Sequence, residues 1–261
     1  MLAVYLLCGG RLELDHTLFF PDRAPGTRYT VPIPCVLVVH PLGRLLFDTG
    51  IHRDTITDPV ARLGEARARR FGVRSQPDEE VVSQLARLGL RPDDIAYVAN
   101  SHFHFDHCGG NEFFPRSTFL VQRAELEAAR AADPARPGRY MPSFRDFDHP
   151  LRYEPLDGEH DVFGDGTIVL LPTPGHTPGH QSLRVRPGPG PGWVFAADAC
   201  YTQEHMDRDV LSGVVWDPDS MARSLGYLRA LRDEDGVSLV YGHDAIQWET
   251  LPQAPRPLVG G

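Results

Sequence analysis

Short apolar runs bounded by glycine, proline or charged residues recur along the chain, a pattern typical of buried β-strands. They predict strands at 2–7, 11–14, 33–40, 44–47, 95–99, 118–121, 167–171, 182–185, 193–197 and 237–241. Elsewhere apolar residues recur every three or four positions, as on one face of an amphipathic helix. This spacing predicts helices at 77–88, 124–131 and 221–231.

The ends of the chain allow two further predictions. Gly9-Gly10 separates the first two strands, so residues 2–7 and 11–14 are predicted to form a β-hairpin with the glycines as its turn. The tail after Pro252 is expected to be loose. Because no internal stretch has the composition of a disordered linker, we expect one domain spanning residues 1–261.

Two segments allow more than one interpretation. Residues 59–74 are rich in arginine, which predicts a solvated helix or, alternatively, a lid or a contact between the two copies of a homodimer. Residues 133–150 combine several prolines with Tyr140, Met141 and Phe144, and proline prevents a long regular element there. This segment either walls a substrate pocket or packs on the surface.

Composition limits the class of protein. Of the 261 residues, 41% are hydrophobic and 23% are charged, which fits a globular protein with a sizeable core. The formal net charge of −9 gives no general attraction to nucleic acid, so no nucleic-acid partner is expected. No apolar run approaches the ~18 residues of a membrane span, and the start of the chain lacks the features of an export signal. The four cysteines are scattered without a C-x-x-C pair, so we expect reduced, mostly buried thiols and a cytoplasmic location.

One stretch concentrates side chains that bind metals. His102, His104, Asp106 and His107 fall within six residues. Imidazole nitrogens and carboxylate oxygens are the ligands that zinc-like divalent ions prefer. Alternate side chains of an extended segment share a face, so His102 and His104 can reach one ion together. The alternative is a loop that is rich in histidine by chance, but this order and spacing are far more specific than a lone histidine pair.

The order His-x-His-x-Asp-His resembles the metal-binding signature of the metallo-β-lactamase superfamily. The resemblance implies an α/β (α+β) fold, a four-layer αββα sandwich with the metal site at one edge of two packed sheets. It also implies two divalent metal ions per chain. Zinc is the expected metal, and iron, cobalt or manganese are the alternatives. Asp48-Thr49-Gly50 is a turn on sequence alone; in the resembled family such a turn lies below the metals and orients their ligands.

The same resemblance implies the remaining ligands. His176 follows a predicted strand in a Thr-Pro-Gly-His phrase and is preferred over His180, because the later histidine of this phrase is usually structural in the family. Asp198 ends another strand and matches a carboxylate that bridges both ions. The implied ligands are His102, His104 and His176 on the first ion and Asp106, His107 and His243 on the second, with Asp198 and a hydroxide shared.

Three features narrow the substrate. Superfamily members that cleave esters, thioesters and lactones carry a carboxylate at the position of Asp198, which many β-lactamases lack. His243 lies near the end of the sequence, so we expect no helical domain of the kind that holds glutathione in glyoxalase II enzymes. The phrase Asp198-Ala199-Cys200-Tyr201 and the stretch from Val4 to Thr17 resemble the quorum-quenching N-acyl homoserine lactone lactonases. The expected function is therefore metal-dependent opening of a lactone ring, from N-acyl homoserine lactone to N-acyl homoserine.

The lactonase branch also implies roles for individual residues. Tyr201 and the first ion would polarise the lactone carbonyl, the bridging hydroxide would attack, and Asp106 would pass a proton to the leaving ring oxygen. The acyl chain would lie against Phe19, Phe20, Met141 and Phe144. Tyr201 could instead be a core aromatic. The alternative substrates are other lactones or esters (γ-butyrolactone, pyridoxolactone), a β-lactam or a thioester. The alternative to an enzyme is a metal-binding sensor or scaffold without turnover.

Overall fold

Two β-sheets pack face to face in the computed structural model, which describes residues 2–136 and 138–260. The strands are β1 (Ala3–Asp15), β2 (Arg28–His40), β3 (Gly43–Phe47), β4 (Gly72–Val73), β5 (Tyr97–Ala99), β6 (Thr118–Gln122), β7 (Arg152–Leu156), β8 (His160–Asp161), β9 (Ile168–Pro172), β10 (Gln181–Val185), β11 (Trp193–Phe195) and β12 (Ser238–Val240). The α-helices are α1 (Arg53–Thr57), α2 (Pro59–Leu63), α3 (Glu65–Arg70), α4 (Val81–Arg87), α5 (Phe105–Cys108), α6 (Arg123–Ala131), α7 (Phe144–Phe147), α8 (Gln203–Arg208), α9 (Pro218–Asp233) and α10 (Ala245–Thr250). Short 3₁₀ turns lie at His16–Leu18, Pro92–Asp94, Asn111–Phe113 and Ala197–Ala199. Pro137, one of the prolines of the 133–150 segment, lies outside the described residues.

The order of the strands brings several strand ends to one edge. The larger sheet has the order β4-β1-β2-β3-β5-β6-β7, and the smaller sheet has the order β12-β11-β10-β9-β8. Strands β3, β5, β6 and β7 run parallel to one another, as do β11 and β12. Because parallel neighbours end on the same side of a sheet, the loops that follow them lie close together.

Both faces of each sheet are buried, which explains why the strands have continuous apolar sequences. On β2, Val36 and Val38 belong to the core between the sheets, whereas Leu37 packs on the outer side. On β9, Leu170 belongs to the same central core and Leu171 packs on the opposite outer side. Side chains that alternate between two buried faces thus read as one hydrophobic run.

Helices cover the two outer faces of the sandwich. Val81 and Leu85 of α4 pack on the larger sheet, and Leu225 and Leu228 of α9 pack on the smaller one. The layers therefore follow the order helix, sheet, sheet, helix. This confirms the prediction of a four-layer αββα sandwich.

Gly9-Gly10 does not form the predicted turn, and the hairpin prediction is wrong. Strand β1 continues through both glycines and pairs with β2 on either side of them, with a shift in register at the glycines. Gly10 has a φ of 136°, and a Cβ at Gly9 would lie 2.7 Å from the Cα of Gly50. Glycine is required here for a bulge and a close backbone approach, which a sequence pattern does not distinguish from a turn.

The tail after Pro252 is attached to the larger sheet, contrary to the expectation that it is loose. The N–H of Ala254 donates to the carbonyl of Leu6 at 2.9 Å, and the N–H of Leu258 donates to the carbonyl of Val4 at 2.7 Å. Strand β4 pairs only with the second half of β1. The tail therefore covers backbone groups that would otherwise form an open sheet edge.

The arginine-rich segment 59–74 is also less regular than predicted. It forms α2, α3 and β4 rather than one solvated helix. Gly64, with a φ of 80°, ends α2 and begins the next helix. The segment thus folds back on itself and brings part of its arginine-rich face toward the loops at the strand ends.

The four cysteines agree with the expectation of buried thiols. All are free and buried. Burial raises the pKa of Cys35 and of Cys108 well above the ordinary value, so both thiols stay protonated near neutral pH.

Across the described residues, the helices are too short or too polar to cross a lipid bilayer.

Candidate metal centre and active site

The predicted metal ligands lie on loops that follow strands at one edge of the sandwich. The loop after β5 carries His102 and leads into α5, where Asp106 and His107 lie. The loops after β9, β11 and β12 carry His176, Asp198 and His243 in turn. The short strand-to-loop connections thus bring together residues from four separate parts of the chain.

The structure brings all seven predicted ligands together in two groups. Within each group the ligand atoms lie within 4.8 Å of one another: His102, His104, His176 and Asp198 form one group, and Asp106, His107 and His243 form the other. Asp198 faces both groups, because its Oδ2 lies 3.1 Å from His176 Nε2 and its Oδ1 lies 3.1 Å from the Nε2 atoms of His107 and His243. This is the location expected for a shared carboxylate.

The three histidines of the first group are converging neutral imidazoles. His104 Nδ1 lies 2.9 Å from His102 Nε2 and 3.0 Å from His176 Nε2. Burial lowers the pKa of His102 and His104 well below the ordinary value and also lowers the pKa of His176. Neutral imidazoles with lone pairs directed at one point are the form of histidine that binds metals.

Three of the rings are oriented from behind through their Nδ1 atoms. His107 Nδ1 lies 2.8 Å from Asp48 Oδ2, His176 Nδ1 lies 2.8 Å from the carbonyl of Val214, and His243 Nδ1 lies 2.9 Å from the carbonyl of Pro32. Metal-binding histidines usually donate their second ring N–H to such acceptors. The Nε2 atoms are thereby left facing the centre.

Asp48 supports the second group from below, as the resemblance implied. It is fully buried, and its carboxylate also accepts hydrogen bonds from the N–H of Ser101 at 2.6 Å and from the hydroxyl of Ser101 at 2.7 Å. Its φ of 61° is unusual for a non-glycine residue, which marks a strained turn that the surrounding contacts hold in place.

Carboxylates make the second group attractive to cations. Burial alone would lower the pKa of His107, but the negative charges of Asp198, Asp106 and Asp48 outweigh it and raise this pKa well above the ordinary value. Likewise, burial would raise the pKa of Asp198, whereas the facing histidines lower it well below the ordinary value. Positive charge is thus strongly favoured between these side chains.

The donor set fits a pair of divalent metal ions. Five imidazoles and two carboxylates converge, which is the nitrogen and oxygen chemistry that zinc-like ions prefer. His107 Nε2 and Asp198 Oδ1 are buried and have no hydrogen-bond partner among the described residues. Because buried polar atoms are rarely left unsatisfied, these two atoms indicate the place where a cation would bind.

His180 lies beside the first group but serves another purpose. Its Nε2 accepts a hydrogen bond from the N–H of Asp198 at 3.1 Å, and its Nδ1 lies 2.9 Å from the hydroxyl of Thr173. Burial lowers its pKa to about 3, so the ring stays a neutral acceptor. It therefore supports the turn that presents Asp198, where Ala197 has a left-handed φ of 45°.

Glu125 is a supporting residue that the sequence analysis missed. It is fully buried on α6, and four donors converge on its two carboxylate oxygens. Its Oε1 accepts from the N–H of Phe103 at 3.0 Å and from the hydroxyl of Tyr140 at 2.5 Å. Its Oε2 accepts from the hydroxyl of Thr177 at 2.7 Å and from the N–H of Gly179 at 2.9 Å.

The contacts of Glu125 connect the two loops that carry the histidines of the first group. Phe103 lies between His102 and His104, and Thr177 directly follows His176. The sequence held one signal, since Glu125 precedes the apolar Leu126 on the buried face of its helix. An acidic residue on a buried face requires partners, but the sequence could not say which.

A cavity of about 310 Å³ opens onto the metal centre. Its apolar lining comprises Leu14, Leu18, Phe71, Phe105, Met141 and Val214, its polar lining comprises His104, Asp106, Asp198, Tyr201 and His243, and three arginines complete it, namely Arg67, Arg70 and Arg139. Of the predicted substrate contacts, Met141 and Tyr201 line this cavity. The 133–150 segment contributes two residues to the cavity, which favours the pocket-wall interpretation.

The other predicted substrate contacts lie elsewhere. Phe19 packs behind Tyr201, with 5.1 Å between ring centroids, and together with Phe20 it lines a second cavity of about 650 Å³. Phe144, on α7 within the 133–150 segment, packs against Phe147 at the edge of a hydrophobic cluster. The sequence analysis missed Phe71 and Phe105 as cavity residues, although Phe105 lies within the metal motif itself.

Tyr201 retains its phenolic proton. Burial, together with the nearby negative charges of Asp198 and Asp106, raises its pKa well above the ordinary value. Its ring lies 5.2 Å from that of His243 and 5.9 Å from that of His176, measured between centroids. A protonated phenol beside both ligand groups can donate a hydrogen bond into the cavity.

Comparison with known proteins agrees with this geometry. Residues 28–243 match the model of the metallo-beta-lactamase superfamily. The chain belongs to this superfamily. Among curated relatives, the N-acyl homoserine lactonase AttM of Azorhizobium caulinodans is 35% identical over 260 residues, which cover 97% of each chain. The N-acyl homoserine lactonase AiiA of Bacillus thuringiensis subsp. kurstaki is 30% identical over 254 residues, again 97% of each chain.

Solved structures give the same assignment within the superfamily. A structure of N-acyl homoserine lactone hydrolase, with the product N-hexanoyl-L-homoserine bound at its catalytic metal centre, superposes with a TM-score of 0.87. It is 29% identical to this chain, and the match covers 98% of both chains. The chain therefore groups with the N-acyl homoserine lactonase branch, as the resemblance implied.

We predict that Glu125→Gln weakens the structure of the site. Glutamine keeps the size of the side chain but turns an amide NH₂ toward backbone N–H donors, and each buried donor left unsatisfied costs about 1–3 kcal/mol. Urea unfolding of the metal-free protein should show this loss. Glu127→Gln, an exposed change on the same helix, is the matched control. Equal stability of both variants would show that the Glu125 contacts contribute little.

Proposed function

We propose that this protein is a dinuclear-metal hydrolase that opens the lactone ring of N-acyl homoserine lactones and releases N-acyl homoserine, the reaction of quorum quenching. The observation that carries this proposal is the placement of Asp198 between two ligand groups with Tyr201 at the same cavity. The relatives at 30–35% identity, aligned over nearly their whole length, support the substrate class.

The proposed metal assignment follows the two groups. His102, His104 and His176 would hold one ion, Asp106, His107 and His243 would hold the other, and Asp198 would contribute to both. Bound there, divalent ions would supply Lewis-acid polarisation of an ester carbonyl and a water molecule of lowered pKa. Zinc is the proposed metal, because the donor set is rich in imidazole.

The protein's own residues would position the lactone and move protons. Tyr201, protonated and at the cavity wall, would donate a hydrogen bond to the carbonyl oxygen as negative charge develops on it. Asp106 lines the same cavity and would carry a proton to the ring oxygen as the ring opens. The apolar residues around them, such as Phe105 and Met141, would exclude bulk water and hold the acyl chain.

The domain organisation, cellular location and partners of the protein are also proposals. We propose that residues 1–261 act as one domain, since the curated relatives align along nearly the whole chain. The four buried free thiols support a reducing, cytoplasmic location. A homodimer and the absence of a nucleic-acid partner remain predictions from the sequence.

The proposed substrate class can be tested with a panel of esters and amides. Metal-loaded protein should open N-hexanoyl homoserine lactone with release of one acid equivalent per turnover, which a pH indicator follows. It should act more slowly on a β-lactam and on a glutathione thioester. A β-lactam cleaved faster than every lactone would overturn the assignment.

The metal assignment predicts that His102→Ala loses bound metal and activity together. Removing one of three converging imidazoles leaves the first group without a complete set of ligands. Elemental analysis of the purified variant should find about one ion fewer per chain than in the wild-type protein. His160→Ala, on β8, is the control and should keep full metal content. Full metal content in His102→Ala would contradict the assignment.

The role of Tyr201 predicts a defined kinetic defect in Tyr201→Phe. Loss of one oxyanion donor costs ~10²-fold when the donor acts alone; because metal ions would share this task, we expect a loss on the order of tenfold. The loss should appear in kcat more than in KM, since the hydrogen bond strengthens in the transition state. Tyr227→Phe, at an exposed position, is the control. Wild-type kcat in a fully metallated Tyr201→Phe variant would show that the tyrosine is only a core aromatic.

A further inference from the structure

Three arginines from two separate segments converge on the cavity above the metal centre. Arg67 and Arg70 lie on α3, and Arg139 lies in the 133–150 segment. The chain carries a formal net charge of −9, so a local concentration of positive charge does not follow from its overall composition. The positive charge is therefore a local property of the cavity lining.

These arginines are not used in ion pairs within the described part of the chain. Arg62 and Arg74, which lie nearby in the sequence, each have a carboxylate within 4.0 Å. Among the described residues, no carboxylate lies within this distance of Arg67, Arg70 or Arg139. Arg139 donates one long hydrogen bond, of 3.4 Å, to a backbone carbonyl, and Arg70 lies 5.6 Å from the ring of Phe71. Their guanidinium groups are available to an anionic ligand.

Burial shows the order of the cavity lining from the bottom to the mouth. Asp198, Tyr201 and His243 are buried at the bottom, and Arg70 and Arg139 are exposed at the mouth. The residues between them are half-buried, namely His104, Asp106, Phe71 and Met141. Arg67 is half-buried. A ligand that leaves the metal centre thus passes apolar side chains and then meets positive charge.

We propose that this site prefers lactones whose acyl chain ends in a carboxylate, which Arg67, Arg70 and Arg139 bind at the mouth of the cavity. The inference rests on the proposed lactonase function and specifies its substrate class. Guanidinium groups bind carboxylates through paired, charge-assisted hydrogen bonds, and a cleft lined by one sign of charge raises the local concentration of an oppositely charged substrate. The apolar belt between the two ends fits the methylene chain of the substrate.

A matched pair of substrates tests this preference. One is an N-acyl homoserine lactone whose chain ends in a carboxylate, and the other carries a neutral primary amide at the same position; both are made with several chain lengths. With metal-loaded enzyme at low ionic strength, the carboxylate should have a higher kcat/KM, on the order of five- to tenfold, mainly through KM. The advantage should disappear in about 1 M NaCl, where charges are screened over ~3 Å.

Substitution of each arginine then tests which residues cause the preference for the carboxylate. Arg67→Gln, Arg70→Gln and Arg139→Gln should each reduce the ratio of kcat/KM for the carboxylate to kcat/KM for the amide, a ratio that cancels any change common to both substrates. Arg69→Gln is the control, because Arg69 is an exposed residue of the same helix that does not line the cavity. Calorimetry with the two ring-opened products measures the same preference without turnover, and the carboxylate product should bind more tightly only when the three arginines are present.

The outcomes separate this inference from the proposed function. Equal kcat/KM for the two lactones, unchanged in the three variants, would overturn the carboxylate preference and leave the lactonase proposal intact. A ratio that falls equally in Arg69→Gln would also overturn it, since the effect would then be one of general charge. Failure of the metal-loaded enzyme to open any lactone would overturn both.

Discussion

The structure depends on the burial of imidazoles and carboxylates around a common point. Neutral imidazoles of the first group direct lone pairs at a common point, and the carboxylates of Asp106 and Asp198 lie close to it. Burial away from water disfavours charged side chains at this point, and hydrogen-bond acceptors that face one another cannot bond to each other. The surrounding fold offsets this cost by holding each ring in place, and cations bound between the groups would offset it further.

The fold meets this requirement by anchoring the backs of the ligands to different elements. Asp48 holds His107 from the end of β3, and the carbonyls of Val214 and Pro32 hold His176 and His243. Glu125 connects the loops themselves through four hydrogen bonds. Because these anchors come from distant parts of the chain, the site is completed only when both sheets and α6 have packed. Folding and preparation of the metal centre are therefore one process.

Sequence reasoning predicted which of these side chains lie together, because their spacing follows local rules. His102 and His104 alternate on an extended segment, and His176, Asp198 and His243 each follow an apolar strand, so proximity could be inferred from chain order and resemblance. Sequence reasoning failed where the geometry depends on the packing of distant segments. Gly9-Gly10 has the composition of a turn but forms a bulge, because its backbone must approach Gly50. Similarly, the partners of Glu125 lie on loops that sequence distance does not connect.

The cavity shows why chemistry was easier to predict than specificity. The candidate metal ligands lie on loops and short turns that follow strands, whose positions the two sheets determine. The cavity walls come from α3 and the 133–150 segment, whose meeting depends on the folded conformation of irregular loops. Arg67 and Arg139 lie 72 positions apart in the sequence, and no periodicity links them. The same metal chemistry can thus accept different substrates as these loops change, so the charge that this chain places at the cavity mouth tells more about its substrate than its metal motif does.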